Sequence, residues 1–196
     1  MSWSRSVIYK GIRFRSVLEA QWAYLMDQIR WSWEYEPHEF GGYIPDFWVK
    51  GKRGFFLEVK PARDMNDIEK YLPKLNANLR LRDEILVVGY SWTLSYDTED
   101  PFPLAGWLRQ VFRGEGGHLR YKWAWSRWVT CGHCGSAAIQ HDYGNYVCYP
   151  CGCREEIEDL YDPPCEDYMD LIEPANLSQL NTAWNAAKTE FRWEPR

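Results

Sequence analysis

No stretch of the 196 residues approaches the ~18–20 consecutive apolar residues of a membrane-spanning helix. The opening "MSWSRSVIYKG" lacks the apolar core of a secretory leader. These two absences lead to the expectation of a cytoplasmic chain with no membrane contact. Low-complexity tracts and internal repeats are also missing, which excludes solenoids and flexible linker proteins. Positive charge is in deficit: 23 Lys and Arg stand against 28 Asp and Glu, for a net charge of −5. That balance weighs a little against a nucleic-acid binder.

What is present is apolar and aromatic. Hydrophobic residues make up 45% and aromatics 17%, enough to build a core, and 12 of the residues are Trp. Trp fills cores and also offers flat faces on which bases stack. Charge is segregated. Residues 1–82 hold 14 Lys and Arg against 10 Asp and Glu, whereas residues 131–196 hold 4 against 12. A mildly basic first part therefore precedes an acidic last part. The length fits one sizeable domain with a small appendage.

"SVIYKGIRFRS" (6–16) alternates apolar and basic residues and reads as an extended lead-in. "SVLE" (16–19) is a capping box that starts a helix reaching about Arg30, with Leu18, Trp22, Leu25 and Ile29 on one face. "WSWEYEP" (31–37) alternates as a strand does. Residues 43–49 and 54–60 read as two strands around "KGKRG". Residues 64–82 are helical in pattern, with Pro73 kinking or splitting the helix. "EILVVGY" (84–90) reads as a buried central strand. "PLAGWLRQVFR" (103–113) reads as a short helix, and "HLRYKWAWSRWV" (118–129) as a strand. Residues 154–174 are acidic and Pro-containing, a surface linker by composition; residues 178–193 read as a terminal helix. Helices interleaved with strands point to an α/β fold, a mixed central sheet flanked by helices.

The charges inside the 43–60 strands carry the chemistry. Residues two apart in a strand share a face, so Glu58 and Lys60 point the same way. A hairpin brings Asp46 beside Glu58. Two adjacent carboxylates repel unless a cation joins them, which makes the pair a natural Mg2+ or Mn2+ site. The Val59 backbone carbonyl offers a third oxygen, and Lys60 is placed to orient or help deprotonate a water. Taken alone, an E-x-K pair on a strand is a solvated salt bridge of little worth. Glu36 and Glu39 read as surface residues, and His38 as a structural or solvated loop residue or as a phosphate contact near the site; Lys50, Lys52 and Arg53 read as a solvated turn or as phosphate contacts.

The set Pro45-Asp46 … Glu58-Val59-Lys60, preceded by a capped helix carrying Glu19, resembles the PD-(D/E)xK nuclease superfamily over roughly residues 8–90. "FRSVLEAQWAYLMDQI…WEYEPHEF…YIPDFWV…LEVKPA" also looks like nuclease-like proteins of bacteriophages and actinobacteria. The spacing of Glu19 to Asp46 is similar to that in Holliday-junction resolvases. The resemblance implies a restriction-endonuclease-like αβββαβ core and DNA as substrate. It also implies Asp46, Glu58, Lys60 and Glu19 as catalytic residues, with Asp46, Glu58, the Val59 carbonyl and Glu19 holding the metal. Glu19 is equally accounted for by its capping box. Many members act as dimers, each subunit cutting one strand; a monomer that nicks fits this chain equally.

Cys131-Gly-His-Cys134-Gly and Cys148-Tyr-Pro-Cys151-Gly are two C-x-x-C-G turns with thirteen residues between them, the spacing of a four-cysteine Zn2+ site. The intervening "AAIQHDYGNYVCY" reads as a hairpin turning at Gly144-Asn145, so the segment looks like a zinc ribbon. Cys153, His133 and His141 are alternative ligands, and Cys165 is left over. Four protein ligands leave no open position, so the expected role is structural. The acidic surroundings favour packing on the core or a protein partner, reached through the ribbon or the acidic C-terminal region, over phosphate contact. Trp123, Trp125 and Trp128 read as a packing interface.

The expected organisation is a nuclease core over 1–118, a zinc ribbon over 119–153, and an acidic linker with a helix over 154–196. The expected function is a metal-dependent deoxyribonuclease acting in a bacterial cell or phage-infected host. The alternative is an inactive nuclease-fold module that binds DNA or protein through the ribbon.

Overall fold

The structure is a computed structural model of the chain. It describes residues 6–51, 54–80, 82–90, 93–94, 103–131, 134–141, 146–147, 154–155 and 177–191. The lead-in is a hairpin of β1 (Val7–Tyr9) and β2 (Ile12–Phe14), turning at Lys10-Gly11. Helix α1 (Val17–Gln28) follows, then β3 (Trp33–Tyr35), β4 (Phe47–Val49) and β5 (Phe55–Val59). The expected helix over 64–82 is split as Pro73 requires. Its halves are α2 (Met65–Glu69) and α3 (Leu72–Asn78), with Pro73 in the first turn of α3, where a missing N–H costs nothing. Then come β6 (Ile85–Val88), β7 (Thr93–Leu94), β8 (Pro103–Arg113), β9 (Leu119–Thr130), β10 (Ala137–His141), β11 (Tyr146–Val147), β12 (Arg154–Glu155) and α4 (Leu177–Glu190).

Ten of these strands form one mixed sheet. Its order is β12-β11-β10-β9-β8-β6-β5-β4-β3, with β7 also on β8. Strands β5 and β6 pair in parallel, joined by the α2–α3 crossover, and the other described pairs are antiparallel. Helices cover both faces. On one, α1 and α4 pack over Phe47, Leu57, Val59, Leu86 and Val88. On the other, Met65, Ile68, Leu72 and Leu75 of α2 and α3 pack over Phe56, Ile85 and Val87. Coverage on both sides explains why "FFLEV" and "ILVV" are apolar runs rather than alternating ones. Trp22 of α1 anchors the first face: it is fully buried, donates its indole N–H to the Gly89 carbonyl at 2.8 Å, and packs on Trp184 of α4 at 5.2 Å between ring centroids.

Residues 103–113 are a strand, not the expected helix. The apolar residues Leu104, Leu108 and Val111 satisfy helical spacing, but β6 offers an open edge, and β8 takes it with Leu86 opposite Leu108. Its Trp, Val and Phe suit a pleated surface. At Gly106 a Cβ would lie 2.1 Å from the Val87 carbonyl oxygen, so the close approach of β8 to β6 admits only glycine there.

Strand β9 pairs with β8 from Arg113↔Leu119 to Leu104↔Arg127. The boundary expected at 118–119 therefore falls in the turn of a long hairpin, and the sheet continues across it. Trp123 and Trp125 pack against the α2–α3 side, and Trp128 is buried on the α1 side against Trp31. Among the described residues no helix is long and apolar enough to cross a membrane.

Candidate functional site

Register builds the site. Strands β4 and β5 pair with Phe47 opposite Leu57, so Asp46, one residue before β4, stands opposite Glu58. Both carboxylates are buried, at 4% and 2% exposure. They are tied through the backbone: Val59 N–H donates to Asp46 Oδ2 at 2.7 Å, and Asp46 N–H donates to Glu58 Oε2 at 3.3 Å. Tyr43 O–H also donates to Glu58 Oε2, at 2.7 Å. Lys60, on the same face as Glu58, donates its ammonium to Glu58 Oε1. Its side chain is 24% exposed, and its Nζ lies 5.7 Å from the centre of the Tyr71 ring. The hairpin thus gathers the buried pair and leaves the lysine at the surface end.

Glu19 sits in the first turn of α1, where its own N–H donates to Ser16 Oγ at 3.2 Å. The hydroxyl in turn donates to Glu19 Oε1 at 2.8 Å. Glu19 Oε2 accepts from Tyr35 O–H at 2.6 Å and from Arg15 N–H at 3.1 Å. The carboxylate therefore caps the N–H one residue earlier than the capping box predicts. Its charge still reaches Asp46. We expect Glu19→Gln to keep α1, since the Ser16 cap remains, while lowering metal-dependent cleavage; wild-type cleavage by this variant would leave Glu19 a cap alone.

Two further residues, Arg15 and Glu36, complete the cluster. The Arg15 guanidinium pairs with Asp46 Oδ1 at 2.7 Å and with Glu36 Oε1 at 2.7 Å. The Glu36 atom is buried and has no aligned hydrogen-bond donor, so its contact with Arg15 is an ion pair only. Glu36 is held at φ +47° while its N–H donates to the Asp46 carbonyl at 2.9 Å. Non-glycine residues adopt that conformation infrequently, and in this chain Lys10 and Arg30 share it. Arg15, Tyr35 and Tyr43 escaped the sequence reading. The available signal was position: Arg15 abuts the capping serine, and Tyr43 lies three residues before Asp46.

Electrostatics follow from burial. Desolvation, then the charges of Glu58 and Glu19, push Asp46 up to about 8, against the opposing pull of Lys60 and the Val59 N–H. Burial, then Glu58, raises the Tyr43 hydroxyl well above its ordinary value. Burial lowers Arg15, but Asp46, Tyr35 and Glu36 outweigh it and hold the guanidinium firmly charged. Around the site, the carboxylates of Glu19, Glu36, Asp46 and Glu58 face the two cations Arg15 and Lys60. The negative surplus is relieved by a proton on Asp46 or by a divalent cation.

The sign of the pH effect is fixed by that shift. The folded chain binds the Asp46 proton more tightly than the unfolded chain does. This contribution to stability is complete below the ordinary carboxylate range and is lost as pH rises toward about 8. Without added divalent metal, the denaturant midpoint should fall between pH 5 and pH 8.5. The slope for one proton is at most about 1.4 kcal/mol per pH unit. An Asp46→Asn variant should lack that slope; an unchanged slope would remove Asp46 as its source.

The oxygens of Asp46 and Glu58, with the Val59 carbonyl on the same strand, are hard donors suited to Mg2+ or Mn2+. Among the described residues, no three His, Cys, Asp or Glu side chains are drawn close enough to hold a metal ion. The reason is local: Glu19 is spent on its cap, and Arg15 stands on Asp46.

The second candidate lies at the end of β9. Cys131 is buried and Cys134 is exposed. Gly135 N–H donates to the Cys131 carbonyl at 2.7 Å, and Cys131 N–H donates to the Ser136 carbonyl at 2.8 Å. Gly135 adopts φ +69°, which the tight return into β10 needs. Strands β10 and β11 pair antiparallel, with Ile139 opposite Val147, while the turn expected at Gly144-Asn145 lies outside the described residues. Cys148, Cys151, Cys153, Cys165 and His133 lie outside the described residues, as does the side chain of His141.

Comparison with models of known families, with curated proteins and with solved structures returns no match.

Proposed function

We propose that the chain is a metal-dependent nuclease that hydrolyses DNA phosphodiester bonds. The observation that carries this reading is the buried Asp46–Glu58 pair, opposed across two core strands, with Lys60 ion-paired at its open end. Burying two adjacent carboxylates costs stability, and a structural salt bridge does not need both. The order α1, β3, β4, β5, α2–α3, β6 supports a restriction-endonuclease-like αβββαβ core.

In this reading Asp46, Glu58 and the Val59 carbonyl hold Mg2+ or Mn2+, with Glu19 behind them. A bound divalent cation supplies positive charge against the scissile phosphate. Lys60 is oriented by Glu58, holds the attacking water in line and donates to the oxygen on which charge develops. Tyr43 fixes the Glu58 rotamer, leaving the carboxylate little freedom to swing away. The Cys131–Cys134 turn joins Cys148 and Cys151 in a structural zinc ribbon that extends the sheet. The DNA is cut by a homodimer or nicked by a monomer.

A second reading, an inactive module that binds DNA or protein, is favoured by the Arg15 pairing that closes the site. One experiment separates the two. Wild-type protein is incubated with Mg2+ or Mn2+ and supercoiled plasmid, linear duplex, single-stranded and four-way-junction DNA. Cleavage of any of these supports the nuclease. Binding without cleavage of any form would overturn it in favour of the module.

A further inference from the structure

Arg15 occupies a position that the metal-site reading leaves unexplained. Asp46 Oδ2 is committed to the Val59 N–H, so Oδ1 is the oxygen left to face a cation. Arg15 Nη2 sits on that oxygen at 2.7 Å. The guanidinium approaches from outside: its side chain is 57% exposed, whereas that of Asp46 is 5% exposed. Its second anchor is Glu36, whose buried Oε1 is close in charge but out of line for a hydrogen bond. The main chain of Arg15 is fixed independently, its N–H shared between Glu19 Oε2 and the Tyr35 hydroxyl. Arg15 is pinned by its backbone, and its half-exposed side chain is held at Asp46, beside Tyr35 and by an ion pair to Glu36 that lacks hydrogen-bond alignment, so the guanidinium can leave Asp46 while Tyr35 and Glu36 keep it at the site.

We infer that Arg15 is an internal counter-cation that locks the site: it holds Asp46 Oδ1 until a divalent cation displaces it, and once displaced it clamps the DNA phosphate. This rests on the metal-site reading given above. The two cations compete for one carboxylate oxygen, so each weakens the binding of the other. Release leaves the guanidinium tethered beside Glu36 at the mouth of the site, one charge poorer in partners. An arginine fork matches a phosphodiester in both geometry and charge. Arg15 is thus a positioning residue in the closed state and a substrate contact in the open one.

The test uses the full chain as wild type, Arg15→Gln and Arg15→Lys. Mn2+ affinity is read from free Mn2+ by electron paramagnetic resonance at fixed pH and salt, and KM for plasmid is read at saturating Mn2+. Arg15→Gln should bind Mn2+ about tenfold more tightly than wild type, the scale of removing one competing charge at contact. Its KM for DNA should rise while kcat stays close to wild type. Arg15→Lys, which keeps the charge without the fork, should fall between the two in Mn2+ affinity. A purely structural arginine would instead weaken Mn2+ binding when replaced. If wild type binds Mn2+ and Arg15→Gln binds it no more tightly, the lock is overturned and the metal site stands. If KM is unchanged, the phosphate clamp is overturned. If neither protein binds Mn2+, both the lock and the nuclease reading fall.

Discussion

Asp46→Asn is expected to reduce Mg2+-dependent cleavage by about a thousandfold or more while making the metal-free protein more stable at pH 8. The two effects share one cause. Asp46 is buried beside Glu58, and its carboxyl is pushed up to about 8 because the folded chain resists a second charge there. Asparagine keeps an acceptor for the Val59 N–H but carries no charge to repel Glu58. On the nuclease reading the fold gains what the chemistry loses. Lys60→Ala should cost about a hundredfold in rate and also lower stability, since it leaves the buried Glu58 carboxylate without its cation. Plasmid nicking and chemical denaturation, run on the same preparations, give both readouts. Full activity in Asp46→Asn would remove the carboxylate pair from the mechanism. Reduced stability in that variant would mean that the Arg15 pairing outweighs the repulsion.

The second large effect is expected from Cys131→Ser combined with Cys134→Ser. The protein as purified should carry one equivalent of Zn2+, and the double variant should carry none. Isolated zinc-binding peptides gain about 10 kcal/mol or more from the metal. Here the Cys131–Cys134 turn is also held by its backbone hydrogen bonds and by the pairing of β9 with β10, so the loss should be several kcal/mol rather than the whole of that figure. Metal analysis and a melting curve decide it. Full zinc retention in the double variant would sink the four-cysteine assignment.

Much of the central architecture was legible in the sequence because its signals are local or periodic. Ser16 marks the start of α1, Pro73 divides α2 from α3, and continuous apolar runs mark strands covered on both faces. The meeting of Asp46 with Glu58 was legible because hairpin register follows from chain spacing. Residues 103–113 were misread because Leu104, Leu108 and Val111 satisfy a helical period, and the competing partner, the open edge of β6, lies elsewhere in the chain. Arg15 was missed for a similar reason. Its partners Glu36 and Asp46 are 21 and 31 residues away, and an arginine in an alternating segment looks like surface.

The β8–β9 hairpin has a consequence for anyone who would separate the Asp46–Glu58 pair from the Cys131–Cys134 turn. A chain stopped at residue 118 would strip β9 from β8 and uncover one long flank of unpaired N–H and C=O groups between Leu104 and Arg113. It would also uncover the apolar surfaces of Trp107 and Leu108, which now pack beside Trp125 and Ala124. A flank of that kind is a template for strand addition from another molecule. Such a truncated protein should form soluble oligomers or precipitate, seen as early-eluting material on size-exclusion chromatography. A well-behaved monomer at high concentration would show that the first 118 residues can close their own edge.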